Sequence, residues 1–217
     1  MDQTDKSEFA LLASCGRCAV KGEFIVAGVV PAAGASRRMG RDKRLIQREG
    51  VAVLELTVAS LRRGGVGPIV VVLEPSSPCL ELPGLAGVIV AINPLPERGM
   101  LSSIRAGLAR VPAEAGAAAV LPGDHPFVPP EATAALVDAF ARSRPPLLVP
   151  CYGASNKRGH PLVIRRDLFA EAAACDDAVG LRQLLARRAA DVVEVHLDLS
   201  GADDDLDEPG DLERLRR

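Results

Sequence analysis

Tryptophan is absent, tyrosine occurs once, and aromatic residues make up only 3% of the 217 residues. A surface that reads single-stranded bases by stacking ring upon ring is therefore excluded. Strong charge of either sign is missing as well. The formal net charge is −2, which gives no global attraction to nucleic acid or an anionic membrane, so any anion site has to be local. No apolar run approaches the roughly 18 residues that a membrane helix needs. The opening MDQTDKSEFALLASC is acidic and polar where a signal peptide would be basic. These absences predict a cytoplasmic protein with neither a membrane nor a nucleic-acid partner. A disulfide framework is also lacking, because the five cysteines are odd in number and scattered at positions 15, 18, 79, 151 and 175. Cys15 and Cys18 form a single C-x-x-C that no second C-x-x-C or H-x-x-x-H completes as a zinc site. The pair reads as inert within an extension, with redox or metal chemistry as the alternative.

What the chain does contain is enough apolar material for one core. Hydrophobic residues account for 48% and charged ones for 25%, the balance of a globular chain that offsets its ordering entropy by burial. At this length one domain is expected, spanning residues 24–217 after an N-terminal extension at 1–23. Phe24–Val30 (FIVAGVV) is a continuous, β-branched apolar run, the pattern of a strand buried on both faces. IVVVL at 69–73, VIVAI at 88–92 and AAAVL at 117–121 have the same character. Helical patterns lie between them. Val51, Leu54, Val58 and Leu61 form one stripe that ends at Gly64-Gly65; Met100–Arg110 places Ile104 and Leu108 on one side; and Pro129-Pro130-Glu131 starts a third helix. Leu147–Val149 and Leu162–Ile164 read as short strands flanking the turn-rich CYGASNKRGHP. Helices are predicted at 167–174 and 179–188, and a last strand at 192–197. An acidic loop, GADDDLDEPGD, and a short helix close the chain. Strands alternating with helices predict an α/β fold, a mostly parallel sheet covered on both faces.

The first strand runs into PAAGASRRMGRDK. In open α/β sheets ligands collect at the carboxyl ends of the strands, which is where this stretch falls. Ala32, Ala33, Gly34 and Ala35 have little side chain to cover their backbone N–H groups, so a triphosphate can approach closely. Arg37, Arg38, Arg41, Lys43 and Arg44 supply charge to neutralise it. The spacing is not that of a P-loop, which needs G-x-x-x-x-G-K-[ST], and there is no G-x-G-x-x-G for a dinucleotide. The bland alternative is a solvated basic helix start after an ordinary turn.

PAAGASRRMGRDK is similar to the L-A-A-G-x-S-x-R-M-G-x-x-K signature of the MobA-like nucleotidyltransferases. GMLSSIRAGL (99–108), LPGDHPFV (121–128), RGHPLVI (158–164) and DLDEPGDL (205–212) resemble, in order, successive motifs of the molybdenum cofactor cytidylyltransferases. R-G-H-P is the piece that favours this branch over the guanylyltransferases. The resemblance implies a single three-layer, Rossmann-like domain of the glycosyltransferase-A type. It also implies transfer of CMP from CTP to the phosphate of molybdopterin, with molybdenum bound, and release of pyrophosphate. By the same resemblance the backbone of Ala32, Ala33 and Gly34 meets the nucleotide, Arg38 and Lys43 its phosphates, and Ser102 or Ser103 the base or ribose. Asp124 is the implied principal Mg2+ ligand, with Asp205 or Asp207 as candidates for a second carboxylate. Arg158, Gly159 and His160 would face the acceptor. A transient partner, an apo molybdenum hydroxylase, is implied in turn.

Several positions depart from the pattern. Pro31 stands where the cofactor enzymes usually have Leu, and it can offer a base only its carbonyl. Glu208 and Gly210 replace the usual Thr and Glu, and DDAVGLR (176–182) matches the family's D-x-G-A-R only loosely. Two other functions stay open: transfer of a nucleotide to a different phosphorylated small molecule, and a cofactor-insertion chaperone that binds without turnover.

The expected chemistry asks mainly for positioning and charge neutralisation. Magnesium takes a few carboxylate oxygens and keeps its other positions for phosphate and water. Asp124, just past an apolar strand and between Pro122 and Pro126, suits that task, although a loop Asp also serves simply as a turn residue. Asp203, Asp204, Asp205, Asp207 and Glu208 form an acidic run that is equally consistent with a solvated face. A phosphate monoester acceptor is already ionised at neutral pH, so no general base is required. His160 is read as a donor to an acceptor oxygen or as a structural turn residue, His125 as packing beside Asp124, and His196 as structural.

Overall fold

The structure, a computed structural model, describes residues 24–34, 42–153 and 156–199. The expected extension at 1–23 with Cys15 and Cys18, the basic residues Arg37, Arg38 and Arg41, and the acidic loop with Asp205 and Asp207 lie outside the described residues.

Ten strands are described: β1 (Ile25–Pro31), β2 (Gln47–Arg48), β3 (Val51–Ala52), β4 (Ile69–Leu73), β5 (Ile89–Ile92), β6 (Ala115–Val120), β7 (Leu147–Tyr152), β8 (Lys157–Arg158), β9 (Leu162–Arg165) and β10 (Val192–Leu197). Eight of them form one sheet in the order β10-β7-β9-β6-β1-β4-β5, with β8 paired to β7. β1 lies at its centre, parallel to β4 and to β6, with Val29 facing Val70 on one side and Val120 on the other. Two strands depart from the parallel order: β9 runs antiparallel between β6 and β7, and β8 pairs antiparallel with β7. β2 and β3 form a separate antiparallel hairpin.

Among the described residues five α-helices cover the sheet: α1 (Val53–Arg63), α2 (Met100–Leu108), α3 (Pro130–Ser143), α4 (Phe169–Ala173) and α5 (Arg182–Arg187). The period of two in β1 divides its side chains between two cores. Val26 and Val30 pack with Leu54, Val58 and Leu61 of α1 and with Leu136 and Phe140 of α3. Ala27 and Val29 pack with Leu101, Ile104 and Leu108 of α2, and the same cluster includes Ala172 of α4 and Leu184 of α5. The predicted three-layer α/β architecture and mostly parallel sheet are therefore present. Among the described residues no helix is long and apolar enough to cross a membrane. Cys79, Cys151 and Cys175 are buried and free.

Two helices start later than their apolar pattern suggests. Val51 and Ala52 pair with Arg48 and Gln47 across a two-residue turn in which Glu49 and Gly50 both have positive φ, so α1 starts at Val53. There the Glu55 carboxylate accepts the Ala52 N–H at 2.8 Å and closes the first turn. The helix predicted from Val179 starts at Arg182 because Asp176–Gly180 forms a turn: the Asp176 side chain accepts the Ala178 N–H at 2.7 Å, and its carbonyl accepts the Gly180 N–H at 2.8 Å.

Candidate active site

Strands β1, β4, β5 and β6 all end on the same edge of the sheet, and residues that follow β1, β5 and β6 line one cleft of about 230 Å³. The chain leaves β1 toward β4 on one side and returns to β6 on the other, so the cleft sits where the strand order reverses. Ala32, Ala33, Gly34, Lys43 and Arg44 line one wall, Pro122, Gly123 and Asp124 another, and Pro96, Gly99, Met100 and Ser103 the rim.

The first two walls are packed tightly together. Gly123 donates its N–H to the Pro31 carbonyl at 3.1 Å. A Cβ on Gly123 would fall 2.9 Å from the Ala32 Cβ and 3.0 Å from Leu54 Cδ1, so only glycine permits this approach. The Pro31 carbonyl, the one group this proline has for a base, is thus engaged by Gly123. Ala32 is engaged too: its N–H donates to the Val72 carbonyl at 2.9 Å, and its carbonyl accepts from Arg44. Ala33 and Gly34 continue the loop along the cleft wall, and among the described residues nothing lies within 4 Å of where a Gly34 Cβ would be.

Asp124 is a third exposed at its side chain and turned to the cleft. Burial pushes its carboxyl up, but the hydrogen bond and charge of His125 and the field of Lys43 outweigh this and hold it below the ordinary carboxylate range. The Nδ1 of His125 lies 3.1 Å from Asp124 Oδ1. A carboxylate only accepts, so this nitrogen carries the proton. His125 is itself buried and meets the ring of His160 edge to face. The LPGDHPFV and RGHPLVI segments, 35 positions apart by these two histidines, are therefore in contact.

Other residues singled out in the sequence sit differently. Ser103 is buried and lines the cleft, whereas the Ser102 hydroxyl turns back to the Gly99 carbonyl at 2.7 Å. Both hydroxyls accept from Asn93 Nδ2, at 2.8 Å for Ser102 and 3.0 Å for Ser103. Arg158 is half exposed and its Nε donates to Glu194 of β10 at 2.7 Å. Gly159 donates its N–H to the Pro150 carbonyl at 2.9 Å, and the His160 carbonyl accepts from the Tyr152 hydroxyl at 2.7 Å. His196 is exposed, with Nδ1 3.0 Å from Asn156 Oδ1.

Arg44 corrects the charge reading of the loop. It is buried, and its guanidinium is held by Asp42 and Glu74. Desolvation works against its charge, yet the hydrogen bonds to Glu74 and Asp42 more than offset that and hold it above its ordinary range. Its charge is compensated by these two carboxylates, although it too lines the cleft. Asn93 and Glu74 were not singled out in the sequence. Each directly follows an apolar strand, β5 and β4, and that position at a carboxyl end was the available signal.

Among the described residues no group of three or more His, Cys, Asp and Glu could hold a metal ion. One ionised, partly exposed carboxylate beside an open loop fits a different arrangement, in which a cation is shared between Asp124 and phosphate oxygens.

A side-chain-poor loop and an ionised carboxylate meeting across adjacent parallel strands is the layout of an α/β nucleotidyltransferase fold. Residues 28–192 match the MobA-like NTP transferase domain, and the chain belongs to that family. A probable molybdenum cofactor guanylyltransferase of Natranaerobius thermophilus is 27% identical over 125 residues, which cover 58% of this chain and 60% of that relative. The chain thus spans less than two thirds of that relative's length. Among solved structures, Rv0371c from Mycobacterium tuberculosis H37Rv superposes with a TM-score of 0.78 at 29% identity, covering 88% of this chain and 97% of that one. Its manganese complex gives a TM-score of 0.73 at 27% identity, with the same coverage of both chains.

Proposed function

We propose that the protein transfers CMP from CTP to the phosphate of molybdopterin, with molybdenum bound, and releases pyrophosphate. The observation that carries this reading is the shared cleft: Ala33, Gly34 and Lys43 on one wall and the ionised Asp124 on the other. An acceptor phosphate oxygen forms a bond to the α-phosphorus while the bond from that phosphorus to the bridging oxygen of the pyrophosphate breaks. The bridging oxygen takes the electron pair. The acceptor is already ionised, so the protein's task is to hold two anions in line and to stabilise the leaving charge.

In this reading the Ala33–Gly34 backbone and Lys43 bind the donor phosphates, assisted by Arg38. Ser103 lies toward the ribose or base, and His160 with the Arg158-Gly159 turn orients the acceptor. Asp124 would hold a divalent ion, Mg2+ in the cell, with Asp205 or Asp207 as a second carboxylate; when bound, that ion supplies charge neutralisation at the phosphates. The manganese complex of the mycobacterial structure supports a divalent ion at such a fold. The reaction would take place in the cytoplasm, and the product would pass to an apo molybdenum hydroxylase.

GTP is the second reading of the donor, favoured by the guanylyltransferase name of the Natranaerobius relative. Magnesium-dependent pyrophosphate release, measured with CTP, GTP, ATP and UTP and purified molybdopterin, separates the readings. Turnover selective for CTP is expected. Selective turnover of GTP transfers the assignment to guanylyl transfer, turnover only with another phosphorylated acceptor overturns the molybdopterin assignment, and tight binding without pyrophosphate release makes the protein a cofactor chaperone.

A further inference from the structure

We propose that Arg44 is a positioning residue, which grips the Ala32 carbonyl from the cleft wall and so sets the direction in which the next peptide N–H is presented to a nucleotide, while keeping no N–H of its own for the phosphates. The proposal rests on the reading of the cleft as a nucleotide site.

A guanidinium has five N–H groups in a rigid fork, and here each has its own acceptor. Nε donates to Asp42 Oδ1 at 2.7 Å and Nη2 to Asp42 Oδ2 at 2.6 Å. Nη2 also donates to Glu74 Oε1, and Nη1 to Glu74 Oε2, both at 2.8 Å. The remaining Nη1 hydrogen goes to the Ala32 carbonyl. No donor is left for a phosphate. The fork instead joins three separate pieces of chain: the residue after β1, the 3₁₀ turn Lys43–Leu45, and the residue after β4.

The consequence for the loop follows from peptide geometry. In a trans peptide the C=O and the next N–H point in opposite directions within one plane. The Ala32 N–H is fixed by the Val72 carbonyl on one side, and the Ala32 carbonyl by Arg44 on the other. The Ala33 N–H must then point away from Arg44, and both residues line the cleft, so the grip on the Ala32 carbonyl is made at the cleft wall itself. Asp42 reinforces this by also accepting the Arg44 N–H at 3.0 Å, which caps the turn holding Lys43 on the same wall. Lysine cannot substitute: it keeps the charge but has three donors on a single nitrogen and cannot span two carboxylates and a carbonyl.

The test uses the full chain and measures affinity for CTP and GTP with Mg2+ by calorimetry, alongside the KM of each substrate and the thermal unfolding midpoint. Arg44→Lys is expected to weaken triphosphate binding by about tenfold or more while the acceptor KM stays within about twofold, since a displaced backbone donor is lost to one substrate only. Glu74→Gln, which keeps one acceptor, is expected to show a smaller loss in the same direction. A folded Arg44→Lys whose triphosphate affinity matches that of the wild type overturns the proposal, as does an equal loss for both substrates. If Arg44→Lys does not fold, Glu74→Gln decides, and unchanged triphosphate affinity there overturns it. A wild-type protein that binds neither triphosphate overturns the nucleotide-site reading, and this proposal falls with it.

Discussion

His125 and His160 meet edge to face, with ring centroids 4.9 Å apart and planes at 71°. This contact ties the loop that carries Asp124 to the turn beside β8 and β9, and it coexists with the hydrogen bond from His125 to Asp124. Edge-to-face ring pairs contribute about 0.5–1.5 kcal/mol beyond their buried area. A double-mutant cycle of His125→Ala and His160→Ala, read by urea unfolding, should return a coupling in that range. If Asp124 holds the divalent ion, His125→Ala should also lower turnover roughly 10- to 100-fold, the usual cost of removing a group that orients a metal ligand. His160→Ala, which leaves the Asp124 bond in place, should raise the acceptor KM with little change in that of the triphosphate.

Asp124→Asn removes the charge without changing the shape of the side chain. If Asp124 holds the divalent ion, several kcal/mol of charge stabilisation are lost, and at 1.36 kcal/mol per tenfold the rate should fall by about 10³ or more. The circular dichroism spectrum should remain that of the wild type, because the side chain is partly exposed and takes no part in either core cluster. The unfolding midpoint at neutral pH should fall modestly, with the loss of a charge that His125 and Lys43 stabilise in the fold. Pyrophosphate release is the readout. A fully active variant removes Asp124 from the metal assignment.

The strands were legible where apolar β-branched runs end abruptly. IVVVL and VVEVHL occupy the predicted 69–73 and 192–197. Their order in the sheet was not legible, since the insertion of β9 antiparallel between β6 and β7 is decided by pairing between distant segments. The meeting of Gly34 with Asp124 followed from the rule that ligands gather at carboxyl strand ends, and the cleft bears it out. The role of Arg44 did not follow. Beside other basic residues it reads as phosphate charge, and only the arrival of Glu74, 30 positions later, shows that charge to be consumed inside the fold.

Glu74 makes stability depend on pH in a predictable window. The hydrogen bond from Arg44 holds its carboxyl below the ordinary 4.5, with burial opposing. A carboxyl depressed in the folded state contributes stability that is complete above the unfolded value and is lost as pH falls through the folded one. The difference in unfolding midpoint between wild type and Glu74→Gln should therefore be constant near neutrality and shrink below pH 4.5. A difference that persists unchanged at the acid end would show that the pair with Arg44 is not its source.

Gly99 and Gly34 both line the cleft, but for different reasons, and alanine at each should separate them. Gly99 precedes α2 with φ 92° and ψ −178°, a conformation open essentially to glycine alone. Among the described residues an added Cβ there would touch nothing within 4 Å, so the cost of Gly99→Ala lies in the backbone and should be about 1–3 kcal/mol by urea unfolding. The same strain bears on the turn that aims Ser103, since the Gly99 carbonyl accepts both the N–H and the hydroxyl of Ser102. Gly34 has no such φ and, among the described residues, equally open surroundings, so Gly34→Ala should leave stability within about 0.5 kcal/mol. Its methyl group would instead project where a triphosphate must come close, and the KM for that substrate should rise while the acceptor KM does not. Loss of stability at Gly34, or its retention at Gly99, would reverse the assignment of one glycine to the fold and the other to the ligand.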